Sequence, residues 1–309
     1  MAPCYNEAES LTAFVRRMTA AAEAAVGPSY EIILVNDGSR DATWSVIEHL
    51  AGAFPHVLGV DLSRNHGHQL AVTAGLALTR GDRVLIIDAD LQDPPEVLAQ
   101  MMAQMDAGHD VVYGKRRVRP GESALKLSTA KLFYRLLDSV SDVTIPRDVG
   151  DFRLISRDFV DRLNAMPEQD RFLRGMVAWL GGRQVEVLYD REPRRLGKSG
   201  YTVGKMIKLA TAGITSFSTA PLKVAVVLAT LGAGLGLLII VYALVAFILG
   251  HAQRGWTSLA LLTVFFGVGQ LGCTAIVGAY VGRIFMQIKG RPLYLIQRVI
   301  GGSPAERNP

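Results

Sequence analysis

The sequence predicts an α/β domain with a mostly parallel sheet, followed by a C-terminal two-helix transmembrane hairpin. Three observations predict it. Short apolar runs alternate with helix-spaced segments from the start to Tyr113. Two of those runs end in aspartate-bearing loops, Asp37-Gly38-Ser39 and Asp88-Ala89-Asp90. Two long stretches near the C-terminus carry almost no charge.

Each element follows from its residues. Leu11, Phe14, Val15 and Met18 recur at helical spacing, so Glu9 to Val26 is expected to be helical. Glu31 to Asn36 is a short apolar run, the pattern of a strand buried on both faces. A helix over Asp41 to Leu50, a strand over His56 to Leu62 and an Ala- and Leu-rich helix over Gly67 to Leu78 come next. Asp82 to Ile87 reads as a third strand, Pro94-Pro95 as the opening of a helix to about Ala107, and Asp110 to Tyr113 as a fourth strand. Strand–helix alternation argues a parallel sheet, with ligands beyond the carboxyl ends of its strands. Ahead of Pro3 such a sheet wants about five or six apolar residues. The opening MAPCYNEAES does not supply them, so the first strand is expected to be missing, through a misassigned start site or a true lack of the strand.

Half the residues are hydrophobic. Leu222 to Leu249 contains one charge, Lys223, and Trp256 to Gly282 contains none. At ~1.5 Å per residue each exceeds the ~30 Å of a bilayer core. Only GHAQRG separates them, and Lys198, Lys205, Lys208, Arg283, Lys289, Arg291 and Arg298 flank them. The positive-inside rule then puts the large domain and the tail in the cytoplasm. The expected organisation is a cytosolic domain over 1–197, a juxtamembrane amphipathic segment over 198–220, the two spans within 221–283, and a cytosolic tail over 284–309. Gly232/Gly236 and Gly278/Gly282 have the spacing of close helix packing, within the hairpin or between copies in a homo-oligomer.

The net charge of +5 is uneven, with basic residues crowded from Lys115 to Lys131 and from Arg191 to Lys208. No aromatic-interleaved motif accompanies them, which argues against nucleic acid and leaves anionic lipid or phosphate. Cys4 and Cys273 lie far apart, with no disulfide framework or metal-ligand spacing.

Asp88 and Asp90 end a buried strand one residue apart. They are hard oxygen ligands suited to Mg²⁺ or Mn²⁺ when phosphates complete the shell, and Gln92 can add a carbonyl oxygen. Asp37 ends another strand, where it can accept from a base or a ribose hydroxyl. Gly38 there permits close backbone approach. A plain turn with Asp41 as helix cap is the alternative. In Pro3 to Glu9, Tyr5 can face a nucleobase and Glu7 can accept its hydrogen bonds. His66 and His68 are expected to line the same pocket or to cap a helix.

In this order the three segments resemble family 2 glycosyltransferases of the GT-A fold. The likeness runs through SRNHGHQLAVTAGL (Ser63 to Leu76), YGKRRVRPGES (Tyr113 to Ser123), VGDFRLISR (Val149 to Arg157), RFLRGMVAWLG (Arg171 to Gly181) and GRPLY (Gly290 to Tyr294). It is similar to the polyprenyl-phosphate branch, and to the bactoprenol glucosyltransferases within it. The resemblance implies that Pro3, Tyr5, Glu7, Asp37 and Asp88 hold the nucleotide-sugar. It implies that Asp88, Asp90 and Gln92 hold the metal, and that Arg116, Lys126 and Ser128 bind the acceptor phosphate. Asp90 and Arg116 would act on the reacting groups. The expected reaction is inverting transfer of a sugar, glucose from UDP-glucose first, to undecaprenyl phosphate at the inner membrane. GDP-mannose or another UDP-sugar is an alternative donor, and a non-catalytic sugar-nucleotide-binding scaffold is an alternative protein. A lipid phosphate is already anionic at neutral pH, so cations rather than a general base are expected, and Asp151 is read as structural or as a cation positioner.

Overall fold

The computed structural model describes residues 1–117, 149–192, 220–249 and 255–302. Two compact units emerge: the α/β elements with the chain from Arg291 onward, and the two long helices. In order the elements are β1 (Ala2–Cys4), α1 (Leu11–Val26), β2 (Ile32–Asn36), α2 (Thr43–Ala53), β3 (Val57–Leu62), α3 (His68–Leu78) and β4 (Arg83–Ile86). A 3₁₀ turn (Pro95–Val97) leads into α4 (Leu98–Asp106), followed by β5 (Val111–Arg116), β6 (Val149–Ser156), α5 (Arg157–Ala165), α6 (Leu173–Leu180) and β7 (Gln184–Tyr189). The chain ends with α7 (Ala220–Ile248), α8 (Trp256–Ile288) and β8 (Ile296–Gly301).

The expected α/β class and the elements through β5 are present. Parallel pairing is not dominant, however. The first sheet runs β1-β2-β3-β8, with β8 antiparallel on its edge. The second runs β4-β6-β5-β7, and β6 is antiparallel to both its neighbours. The long connection after β5 lets the chain reverse and enter between β4 and β5, which a reading of alternating strand and helix cannot see. The strand expected to be missing is present as the three residues of β1, which pairs in parallel with β2. The Met1 amine donates to the Leu85 carbonyl at 2.6 Å and the Ile87 amide to the Met1 carbonyl at 3.2 Å, so Met1 joins the two sheets.

The core forms where α1, α2 and α4 cover these sheets. Leu11, Phe14, Val15 and Met18, the residues that defined the helical spacing of α1, are all buried, as is every residue of β2 and β3. The chain after α8, expected as a cytosolic tail, contributes a strand. Its residues form β8, with Val60 opposite Val299, and Arg298 pairs with Glu48 and Asp61 while stacking 5.2 Å from the Trp44 ring. The edge of β3 offers unpaired backbone groups, and β8 satisfies them.

Helices α7 and α8 pack on each other, with Phe266 3.6 Å from where a Gly232 side chain would begin. Among the described residues one segment, Phe265–Ile288, is long and apolar enough to cross a membrane, and Val224–Ile239 is apolar but shorter. The boundary at 197, residues 198–219 of the expected juxtamembrane segment and residues 250–254 of the inter-helix connector lie outside the described residues.

One glycine is indispensable to the site. Gly38 has φ +60°, and a Cβ there would fall 2.4 Å from the backbone of Arg64 and Asn65. Neither backbone can yield, so Gly38→Ala is expected to destabilise the domain by about 2 kcal/mol or more. Gly52, in α2 with open space around it, is expected to gain roughly 0.5 kcal/mol on replacement by Ala. Thermal unfolding of the two variants checks the contrast; equal effects would remove the steric account.

Candidate active site

The loop after β4 is held in an unusual shape. Asp90 Oδ1 accepts from the Gln92 amide at 3.1 Å, and between them Leu91 takes φ +60°. A left-handed leucine costs about 1–2 kcal/mol, and Leu91 offsets that by packing on the hydrophobic core. Asp93 is 2% exposed and accepts from Tyr189 Oη at 2.5 Å and from Arg191 Nε at 3.2 Å. The Glu192 amide donates to the Gln92 carbonyl at 2.9 Å. Arg17 on α1 closes the clasp, with two bonds to Glu96 and one to Glu192. The segment at the end of β7 therefore holds the Asp90–Asp93 part of the loop, and α1 holds Glu96.

Asp151 on β6 is the second centre. Its carboxylate accepts from Arg174 Nε at 2.8 Å, and its Oδ2 lies 3.0 Å from His68 Nε2, with Gln69 Nε2 at 3.4 Å. His68 and Gln69 begin α3 and Arg174 lies in α6. Gln69 also accepts from the Leu173 amide, which ties the two helix starts together. His68 Nε2 lies 3.8 Å from Asp88 Oδ1, so the imidazole stands between the two carboxylates. Asp151 thus bonds Arg174 and lies against His68, with Arg153 Nη2 at 3.7 Å from its Oδ1.

Electrostatics follow this geometry. Burial pushes the Asp88 carboxyl up to about 6, with the carboxylates of Asp151, Asp90 and Asp93 adding to the shift and His68 opposing it. Burial also opposes ionisation of Asp151, but Arg174 and His68 outweigh it and hold that carboxyl well below the usual range. His68 is the converse case: burial disfavours the imidazolium, yet Asp151 and Asp88 raise it to about 9.

The two loops expected to meet the nucleotide are bonded to each other. The Asn6 amide donates to Ser39 Oγ, the Arg40 amide to Asn6 Oδ1, the Glu7 amide to Thr43 Oγ1 and the Asp37 amide to the Cys4 carbonyl. Pro3 lies in β1 opposite Val35, and Tyr5 is 42% exposed at the end of that strand. The Asp37 carboxylate is buried and accepts from the His66 and Gly67 amides at 2.7 and 2.9 Å, so it also braces the loop ahead of α3. Burial raises its pKa.

Arg116 ends β5, and its Nε donates to Tyr189 Oη at 3.5 Å. Lys126 and Ser128 lie outside the described residues. Sequence reasoning missed Asp93, Arg174, Tyr189 and Arg191. Asp93 had a signal, a third aspartate between Gln92 and two prolines. Arg174 lay in a segment that carried the family likeness and Arg191 opened a basic cluster, but nothing in sequence tied either to a carboxylate, and Tyr189 had no signal.

Breaking one side of a buried ion pair leaves the other side uncompensated. A double-mutant cycle on Asp151→Asn and Arg174→Gln is expected to give a coupling above about 1 kcal/mol in thermal or urea unfolding. Additive effects would mean that Asp151 does not hold Arg174.

Comparison with known proteins agrees with this architecture. Residues 1–163, more than half the chain, match Glycosyl transferase family 2. A protein of Bacillus subtilis (strain 168), the uncharacterized glycosyltransferase YkcC, is 40% identical over 274 residues, covering 88% of this chain and 85% of that one. The SfII prophage-derived bactoprenol glucosyl transferase of Shigella flexneri is 38% identical over 304 residues, covering 98% of each. The prophage bactoprenol glucosyl transferase homolog of Escherichia coli (strain K12) is 38% identical over 300 residues, covering 96% of this chain and 97% of its own. With the match reaching from β1 through most of α5 and near-complete coverage by these relatives, the chain belongs to glycosyl transferase family 2 and is an enzyme that transfers a sugar.

Proposed function

We propose that the chain transfers glucose from UDP-glucose to undecaprenyl phosphate, with inversion, at the cytosolic face of the inner membrane. One observation carries the reading: His68 lies 3.8 Å from Asp88 and Arg191 lies 4.0 Å from Asp90, while Arg174 binds the neighbouring Asp151 and Arg116 reaches Tyr189, the partner of Asp93. Such a site suits two phosphate-bearing substrates meeting over a pair of carboxylates. The names of the near full-length relatives supply the glucosyl group and the lipid.

Mg²⁺ or Mn²⁺ fits the donor set. Among the described residues no three His, Cys, Asp or Glu side chains converge as a closed cage. Two hard carboxylates with room for diphosphate oxygens is the arrangement Mg²⁺ favours, and Asp88, Asp90 and Gln92 would hold the ion. Bound there, the cation would neutralise charge on the leaving nucleoside diphosphate. Pro3, Tyr5, Glu7 and Asp37 form the nucleotide end of the donor site in this reading. Arg116 receives the acceptor phosphate, with Lys126 and Ser128 assigned beside it from the family resemblance.

The acceptor supplies its own nucleophile. A phosphate monoester has a second pKa of about 6, so it attacks as an anion without losing a proton. The carboxylates suit that chemistry. Asp151 is held strongly acidic by Arg174 and His68, which makes it a poor base. Asp170 is exposed. Attack in line with the departing diphosphate turns an α-linked donor into a β-linked product.

The polyprenyl tail stays in the bilayer, so an anchored enzyme meets its acceptor at high effective concentration. The apolar side chains of Phe265–Ile288 face outward: Val268, Leu271 and Ile288 are 65%, 71% and 79% exposed. That is the surface of a helix solvated by lipid rather than of a soluble core. We assign α7 and α8 as a two-span hairpin, with the basic flanks and the α/β domain on the cytosolic side.

A radiolabel transfer assay with bactoprenyl phosphate and a panel of sugar nucleotides tests this. UDP-glucose is expected to give lipid-linked product, abolished by EDTA and restored by Mg²⁺ or Mn²⁺. Asp90→Asn is expected to lose about 10²-fold or more in turnover, while Asp170→Asn stays within about threefold of the parent enzyme. Lipid-linked product from another donor alone would reassign the sugar; loss of activity in folded Asp170→Asn would restore a general base.

A further inference from the structure

We propose that Asp93 is a positioning residue that sets two active-site cations from a single buried carboxylate oxygen. The proposal rests on the reading of Asp90 as a metal ligand and Arg116 as an acceptor-phosphate ligand. Asp93 Oδ1 accepts both from Tyr189 Oη at 2.5 Å and from Arg191 Nε at 3.2 Å. Tyr189 has one hydroxyl hydrogen and gives it to Asp93. Its lone pairs are then left to accept, and Arg116 Nε donates to them at 3.5 Å. Arg191, fixed through its Nε, brings Nη2 to 4.0 Å from Asp90 Oδ2. One arm of Asp93 thus reaches the acceptor cation through a phenol, and the other reaches the metal loop directly.

The backbone is built around this relay. Arg116 and Tyr189 are register partners on the parallel strands β5 and β7, so their side chains leave the sheet side by side. The Tyr189 ring lies over Gly114, where a Cβ would sit 2.6 Å from Phe152 Cδ1 and 2.8 Å from Tyr189 Cε1. Phe152 meets the Tyr189 ring edge-on, with centroids 5.3 Å apart. The ring therefore has one seat, and the hydroxyl has one direction. An arginine whose Nε is already committed presents its remaining N–H groups to a phosphate in a fixed plane.

Steady-state kinetics on the full-length enzyme in detergent, with each substrate varied in turn, test the relay. Arg116→Ala is expected to raise KM for undecaprenyl phosphate. Tyr189→Phe keeps the ring and loses the hydroxyl; it is expected to raise the same KM about 3- to 10-fold, with kcat and donor KM little changed. In the Arg116→Ala background it should add less than about twofold, because the two residues act in series. Asp93→Asn releases both arms and is expected to raise both KM values, with UDP binding and thermal unfolding reporting that it folds. If Arg116→Ala raises the acceptor KM and Tyr189→Phe does not, or if Tyr189→Phe depresses kcat and both KM values alike, the proposal is overturned. An unchanged acceptor KM in Arg116→Ala would overturn the Arg116 assignment instead, and the relay with it.

Discussion

Four carboxylates, those of Asp88, Asp90, Asp93 and Asp151, gather at the loop after β4 and the start of β6, and the rest of the site depends on the cations that answer them. Like charges in a partly desolvated place repel strongly, and a buried charge without a partner is costly. The protein answers with cations drawn from three directions. Arg174 and His68 meet Asp151 from α6 and the start of α3, and Arg191 meets Asp93 from beyond β7. At Asp88 burial and the neighbouring carboxylates outweigh His68, and its carboxyl rises to about 6.

That charge balance also explains the shape of the loops. Leu91 is held in a left-handed conformation that a free chain would avoid. It persists because Asp90 binds the Gln92 amide in front of it while Tyr189, Arg191 and the Glu192 amide hold Asp93 and Gln92 behind it. In the loop after β2, Asp37 accepts from the two amides that precede α3. The same helix start delivers His68 to Asp88 and Asp151. The loops after β2 and β4 and the cation cluster are therefore mechanically one object, although they come from separate parts of the chain.

The chain leaves the α/β unit for two long apolar helices and returns to it. The returning segment adds β8 to the first sheet, covering the edge of β3. Arg298, read from sequence as one of many flanking positive charges, stacks on Trp44 and pairs with Asp61. A basic residue near a long apolar helix is open to two readings, lipid attraction or tertiary docking, and composition alone does not separate them.

Local patterns were legible in the sequence because each rests on near neighbours. Helical spacing located α1 to α4, apolar runs located β2 to β5, and the uncharged stretches located α7 and α8. Asp88, Asp90 and Asp37 were readable as strand-end aspartates for the same reason. What depends on pairing between distant segments was not readable. The antiparallel insertion of β6, the return of β8 and the three-residue β1 are decided by which strand edges remain unsatisfied. Arg174, Arg191 and Tyr189 look like ordinary surface or core residues until the fold sets them against Asp151 and Asp93. The sequence by itself determined the elements and the chemistry of their ends. Tertiary structure decided which cation answers which carboxylate, because electrostatic compensation depends on distance in space and not on separation along the chain.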